Sequence, residues 1–575
     1  MGMSKPVVLF SLALACAPLL PAQTRVVVFE QPGFPTVDSE PIAHGVLAHS
    51  LGSSVGFVTV DQLQTGSELK EASLLVMPYG SAFPAAAWPS IQHFLQSGGN
   101  LLLLGGQPLH VPVTSEAPGS FKQAAAQDSY SANLGLRHSY PVPLGNTPTR
   151  FAWRPGYDFL ASVNLKPKTV FAEEGRLNGL GYLDDAEGTH VAAPVIVLNS
   201  PNGGRIVALP FTPQAGFWDS GDGSRLIGTA ARYAMAGTTE FMIEAQYSAL
   251  RPGELPELTA RLHQAKAGAT AGSAHVELRT GDKVLDTATV PLGGAATSIA
   301  LPFKKPLPAG LYTVRATWTP AGSTEPQEFT ENGFVVEDLS ALESGPALGV
   351  HGDFLSLGDK PFLPVGTNYF TTEENGWDFS GPRNDAVWEH DFADMERHGV
   401  SFVRTGVWMN NGKFVEPATG EVNERFLRNL EAFLAAAQRH NIAVNFTCFA
   451  FTPGVGEPRR RSDAGTQPPP PNPYVDEGTV HVEEVYVASV AKRFRHVPWL
   501  SYDLINEPSF SNPKVIFKGN VPNGDHAEVA AWQGWLRKRY ANLTTLAEAW
   551  RVTPEQLGAF DHIPLPEQSD LSYDR

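Results

Sequence analysis

The residues best suited to chemistry lie late in the chain, where Asn506, Glu507 and Pro508 close the strand-like run that begins at Trp499. A carboxyl that is protonated near neutral pH gives its proton to a leaving oxygen. As a carboxylate it then takes one from water, which completes general acid–base catalysis. The alternative for Glu507 is a helix-cap or turn carboxylate. Other reactive groups are sparse. Cys16 and Cys448 are the only two cysteines, which excludes a disulfide scaffold and a clustered thiolate metal site. Cys448 reads best as a small apolar core residue. His398 and His440 fall at predicted helix C-termini, where a charge–dipole role is the plainer reading. No metal or cofactor is expected.

Glu507 needs a rigid strand end, and residues 345–575 supply the pattern for one. Phe362–Tyr369 reads as a first strand and Ser401–Trp408 as a second. Ile442–Phe449 reads as a third and Trp499–Asn506 as a fourth. Between them, Asn384-Asp385 caps a helix carrying Trp388, Phe392 and Met395, which Gly399 ends. Asn423 caps a second helix with Phe426, Leu430, Phe433, Leu434 and Ala437 at three- and four-residue spacing. A third helix runs from about Asp476 to Arg495. Repeated β-loop-α units predict a partial (β/α)8 TIM barrel with its functional groups at the C-terminal strand ends.

In that context, Asn506-Glu507-Pro508 resembles the acid/base motif of retaining glycoside hydrolases of clan A. The resemblance implies that Glu507 protonates the leaving glycosidic oxygen and that Asn506 contacts the sugar's 2-hydroxyl. Arg404 on the second strand resembles the arginine that supports the nucleophile in family 5 and related enzymes; the alternative is an outward or salt-bridged Arg. Asn472-Pro473-Tyr474 through Phe494 is similar to family 5 cellulase- or mannanase-like sequences. Trp532 to Trp550 is similar instead to family 42 β-galactosidases. Both resemblances imply an O-glycoside hydrolase acting on β-linked oligo- or polysaccharides. Asn368, Trp408, Trp377, Phe449 and Phe510 are candidate substrate contacts. The aromatics among them serve equally well as packing. The long loop from Thr452 to Asp476, with Pro468 to Pro471, is placed to shape binding. Arg459-Arg460-Arg461 reads as a solvated charge run.

Two further zones precede this one. Residues 24–238 alternate short apolar runs with helices, which predicts a mostly parallel, flavodoxin-like α/β domain. The stretch Leu74 to Gly106 resembles the class I glutamine amidotransferase-like fold found in β-galactosidase trimerisation domains. The turn where that family holds its cysteine reads Gly105-Gly106-Gln107-Pro108, and the zone has no cysteine. A thiolate mechanism is excluded, which leaves a structural role as an assembly or docking module; the resemblance to trimerisation domains implies a homo-oligomer as one form of that role. No Gly-Lys-Ser/Thr follows its glycines, so they form no phosphate loop. Residues 240–338 shift to period-two alternation, clearest at Leu311–Trp318, which predicts an immunoglobulin-like β-sandwich. Its expected role is a spacer, with carbohydrate binding as the alternative.

The whole chain is thus read as multidomain α/β plus all-β. Lys5 followed by the apolar stretch Pro6–Leu20 and Ala22 reads as a secretory signal over residues 1–22, cleaved near Ala22. That implies a secreted or periplasmic protein; a lipoprotein built on Cys16 is the second reading. The 575 residues carry 42 Lys+Arg against 59 Asp+Glu, a net charge of −17. That balance argues against nucleic-acid binding, which needs cationic side chains to displace counterions. A whole barrel takes about 250 residues, yet four units already reach Trp550. Glu528 and Glu548 fall in the region predicted helical after the fourth strand, and Glu555 and Glu567 come too early. The expectation is therefore a fragment whose nucleophilic glutamate lies beyond Arg575. A catalytically inactive sugar-binding or assembly protein is the competing expectation.

Overall fold

Short apolar runs become buried strands in the first part of the computed structural model. The model describes residues 25–117, 119–136, 138–145, 147–174, 178–200, 202–265, 270–369, 379–407, 414–416, 418–451, 471–508, 522 and 524–567. Two compact units divide the chain, one up to Thr239 and one from Glu240 onward; Gln264–Ala267 groups with the first.

The first unit is built on one eight-stranded sheet. Its strands are β1 (Arg25–Phe29), β2 (Val55–Val58), β3 (Ala72–Met77), β4 (Asn100–Leu104), β5 (Arg150–Trp153), β6 (Asn178–Asp184), β7 (His190–Asn199) and β8 (Arg205–Leu209). They lie in the order β2-β1-β3-β4-β8-β7-β6-β5. The first five are mutually parallel. The last three run antiparallel, an extension that the sequence pattern does not announce. Val27, Leu75, Leu101 and Ile206 share a core with Ile91 and Phe94 of helix Trp88–Gln96. The amphipathic helix Gly221–Met235 lies along β3, β4 and β8.

The second unit begins with two sheets around one core. The smaller holds β9 (Thr239–Ala245), β11 (Leu258–Gln264) and β14 (Ser298–Ala300). The larger holds β10 (Ala249–Leu250), β12 (Gly272–Thr280), β13 (Lys283–Pro291), β15 (Gly310–Pro320) and β16 (Glu328–Val336). Alternate residues Tyr312, Val314, Ala316 and Trp318 of β15 point into the core, as the period of two requires.

A four-stranded parallel sheet follows, in the order β20-β21-β22-β23. A small antiparallel sheet, β17 (Leu348–His351), β18 (Phe354–Leu357) and β19 (Lys360–Pro361), precedes it. Its strands are β20 (Gly366–Asn368), β21 (Phe402–Gly406), β22 (Ala443–Ala450) and β23 (Leu500–Asn506). The expected strand over 362–369 is reduced to Gly366–Asn368; at its start the Phe362 amide bonds the Leu355 carbonyl of the preceding small sheet instead, at 2.8 Å. Helices α1 (Asp385–Arg397), α2 (Glu424–Arg439) and α3 (Glu477–Phe494) connect the four strands, capped by Asn384, Asn423 and Asp476. The positions expected to be apolar on α2, from Phe426 to Ala437, are all buried. Beyond β23 lie α4 (His526–Arg539) and α5 (Leu543–Trp550), where Trp532 stacks between Trp535 and Trp550.

The two-sheet layer expected as a spacer shares a core with these helices: Ala249 and Val335 pack with Trp388, Phe392 and Phe433. Asn384 accepts from the amide of Gly333 at 2.7 Å and donates to the carbonyl of Glu331 at 2.8 Å. A Cβ on Gly333 would lie 2.3 Å from the nitrogen of Ala386, so only glycine allows α1 to start this close to β16. A ring of alternating charges closes the same seam. Arg251 binds Glu431 at 2.6 Å, and Arg493 joins Glu431 to Glu424. Arg428 joins Glu424 to Glu254, which accepts from the backbone of Arg251. Nearby, Asp385 is fully buried, and neither carboxylate oxygen has a hydrogen-bond partner among the described residues. Arg439 stands 3.6 Å from it. Burial pushes the Asp385 carboxyl up to about 8, against the pull of Arg439 and with the push of Glu389 and Glu337.

Candidate active site at the carboxyl end of the parallel sheet

Residues two apart on a strand share a face, and register across this sheet sets a polar row on one of the faces. Asn368 pairs with Arg404, Arg404 with Asn445, and Asn445 with Ser501. Two residues further along, Thr447 pairs with Asp503. The side chains bond along this row: Asn445 donates to Ser501 at 3.0 Å, and Thr447 to Asp503 at 3.2 Å. The opposite face is apolar, with Val403, Phe446 and Cys448 in the core shared with α2 and α3.

Arg404 reaches from β21 past β22 to β23. Its Nη2 donates both to the Asp503 carboxylate, as an ion pair, and to Asn506 Oδ1 at 2.9 Å. With its carbonyl oxygen held, the Asn506 amide nitrogen is left buried and without a partner among the described residues. A buried donor left unpaired costs about 1–3 kcal/mol, so this one stands ready for an acceptor. Glu507 follows at once, exposed, with φ of +49°. Non-glycine residues seldom adopt that left-handed backbone, and strained backbone clusters at active sites and ligand clamps.

Of the residues singled out by sequence, the structure brings Arg404 and Asn506 into direct contact and places Glu507 next in the chain. Asn368 sits in register with Arg404 on the exposed edge strand β20. Phe449 does not offer a platform: it is 8% exposed and packs edge-on against Tyr486, because the core behind β22 takes its ring. Trp377, Trp408, Phe510, Arg459, Arg460 and Arg461 lie outside the described residues, as do residues 1–24. Arg404 is salt-bridged, but to Asp503. Asp503 and Thr447 were missed; their alternation with Ser501 and Asn445 was the signal that could have found them.

Cys448 is buried, and its thiol is pushed up to about 12 by desolvation, with the Asp503 carboxylate adding to the effect. It is a core residue. His398 and His440 are the C-cap residues of α1 and α2. His440 bonds Glu396 at 2.8 Å, and His398 bonds the Asp394 carbonyl at 2.8 Å. Glu528 ties two loops, accepting from Gly524 and Asn472. Among the described residues, no group of three or more His, Cys, Asp or Glu is arranged to hold a metal, and no helix is long and apolar enough to cross a membrane.

No family model matches the chain, and no curated protein matches it. Solved structures similar to parts of it include several glycoside hydrolases and also a CARDB domain from Pyrococcus furiosus, all distant. A Parabacteroides merdae β-glucuronidase is 14% identical over 53% of this chain and 33% of its own, with a TM-score of 0.20. A β-galactosidase from Rahnella sp. R3 is 10% identical over 49% and 41%, with a TM-score of 0.26. A Bacteroides ovatus family 5 xyloglucanase is 14% identical over 52% and 60%, with a TM-score of 0.20. The chain thus spans less than two thirds of each hydrolase. At such TM-scores the geometry around Glu507 has to carry the functional reading by itself.

Proposed function

We propose that this chain is a secreted retaining β-glycoside hydrolase in which Glu507 is the general acid/base and Asn506 binds a hydroxyl of the sugar beside it. The observation that carries the reading is the Asn506 amide. Arg404 holds its oxygen, and its buried nitrogen has no partner among the described residues. A sugar hydroxyl is an acceptor of the right kind, and it would stand beside the proton that Glu507 gives to the glycosidic oxygen. The four parallel strands with their helices support a (β/α)8 barrel as the frame, with Glu507 at the strand end where such barrels carry their chemistry.

Retention needs a second carboxylate about 5–5.5 Å from the first. Asp503, the other carboxylate on β23, is held by Arg404 and Thr447. It balances the guanidinium and is not free to attack. The nucleophile in this proposal comes from a further strand of the barrel. The signal peptide, the sugar's identity and an assembly role for the first unit belong to the same proposal.

The experiment is turnover of aryl β-galactosides, β-glucosides and mannan by the complete reading frame. Glu507→Gln should lower kcat about 10²–10⁴-fold on unactivated linkages, the range general acid–base catalysis contributes. Substrates with a good leaving group, which need no proton, should lose far less in the bond-breaking step. Unchanged turnover on unactivated linkages would sink the assignment.

A further inference from the structure

We infer that Asp503 is a positioning residue that acts through Arg404 to fix which end of the Asn506 amide faces the substrate; the inference rests on the reading of Asn506 and Glu507 given above. An asparagine side chain is nearly symmetric in shape but not in chemistry: rotating it by half a turn exchanges an acceptor for two donors. What holds one orientation is a partner of fixed character. Arg404 is such a partner, since a guanidinium only donates. It bonds Asn506 Oδ1 at 2.9 Å and so turns Nδ2 the other way.

Arg404 itself starts two strands away from β23, with β22 between them. The long side chain has several rotatable bonds and needs an anchor at its far end. Asp503 provides it: the same Nη2 that serves Asn506 also serves the Asp503 carboxylate. Thr447, from the strand that Arg404 crosses, donates to the same carboxylate oxygen at 3.2 Å. One carboxylate thereby gathers groups from three strands. Asp503→Asn keeps the shape, removes the charge and offers Arg404 a weaker acceptor. The guanidinium then loses its anchor, and the Asn506 amide is free to turn.

A residue that merely braced the sheet would weaken every substrate alike. A residue that orients Asn506 weakens those that use its N–H. The test compares nitrophenyl β-glycosides with their 2-deoxy counterparts, using the complete chain and its Asp503→Asn, Asn506→Ala and doubly substituted variants. Asp503→Asn should lower kcat/KM for the 2-hydroxy substrates about 10–100-fold, the range of coupling between groups in one hydrogen-bonded network. The 2-deoxy substrates should change less than about threefold, within the scatter for uncoupled sites. The double variant should be no worse than Asn506→Ala alone. Equal losses on both substrates, or losses that multiply in the double variant, would overturn the inference. Absence of turnover by the unaltered chain on every glycoside would overturn the glycosidase reading instead. In that case crystal structures of the complete chain and of Asp503→Asn decide the inference. It predicts that Arg404 leaves Asn506 in the variant, and an unmoved Arg404 refutes it.

Discussion

The carboxyl end of β4 in the first unit is closed by its own turn, whereas those of β21 and β23 in the second are dressed with polar side chains. After β4, Gly105 and Gly106 turn with φ of +78° and +61°, and their amides bond the carbonyls of Leu209 and Phe211. Ser81 fills the space beside them: its hydroxyl accepts from Gln107 N at 2.7 Å and donates to Asp38 at 2.6 Å. A Cβ on Gly106 would lie 2.2 Å from the nitrogen of Ser81. After β23, by contrast, the chain presents Asn506 with an unpaired N–H and Glu507 in strained backbone. The parallel strands of two sheets in one chain therefore differ in what stands at their ends, where α/β proteins bind ligands. The frame does not decide function; a handful of side chains at its rim does.

The sharpest way to break this contrast is Glu507→Gln, for which a loss of about 10²–10⁴ in kcat on unactivated β-linkages is expected. Next is Gly106→Ala, which tests whether the first sheet's rim is as closed as it looks. Overpacking and left-handed strain together should cost about 2–5 kcal/mol, read as a lower midpoint for the first unit in urea. A variant as stable as the parent would show that the turn yields at this point.

Asp385→Asn sharpens the contrast from behind the second sheet. The Asp385 carboxyl lies at about 8 in the folded protein against an ordinary 3.8. Between those values the folded state binds the extra proton, so stability falls as pH rises from about 4 to 8. The asparagine variant has no proton to lose. Its melting temperature should decline less over that window and exceed the parent's at the alkaline end, as calorimetry across pH would show. A pH profile parallel to the parent's would refute the burial of this carboxyl. The smallest effect is expected at Leu504, 62% exposed on β23. Leu504→Thr should move stability by less than about 0.5 kcal/mol, as surface substitutions do.

The alternation of apolar runs and helices was legible because it follows from burial on both sheet faces. The central strands of both units and helices α1 to α3 fall where the periodicities put them. In the antiparallel extension, β7 was legible over Pro194–Leu198 but β5 and β6 were not: β6 is interrupted by Gly179 and Gly181, which contribute no apolar side chain to a pattern. At the candidate site, Asn506-Glu507-Pro508 was visible as a motif. The part played by Asp503 was not, since only register brings Thr447 and Arg404 to it. Asp385 looked like an ordinary first-turn acid, which a helix dipole favours; its burial comes from the packing of α1 against the two-sheet layer. Arg428, Glu431 and Arg493 drew no reading from the sequence, because the ring they form closes only through Arg251 and Glu254, more than a hundred residues earlier.

That ring bears on inheritance. Glu254 and Arg251 belong to the segment after β10, while Arg428, Glu424, Glu431 and Arg493 belong to α2 and α3. A recombination event that replaced the two-sheet layer alone would take from each of the buried Arg428 and Glu431 one of its two counter-charges, leaving them only Glu424 and Arg493. The two-sheet layer and the helices of the parallel sheet share these charges, so exchanging either one alone would open the ring.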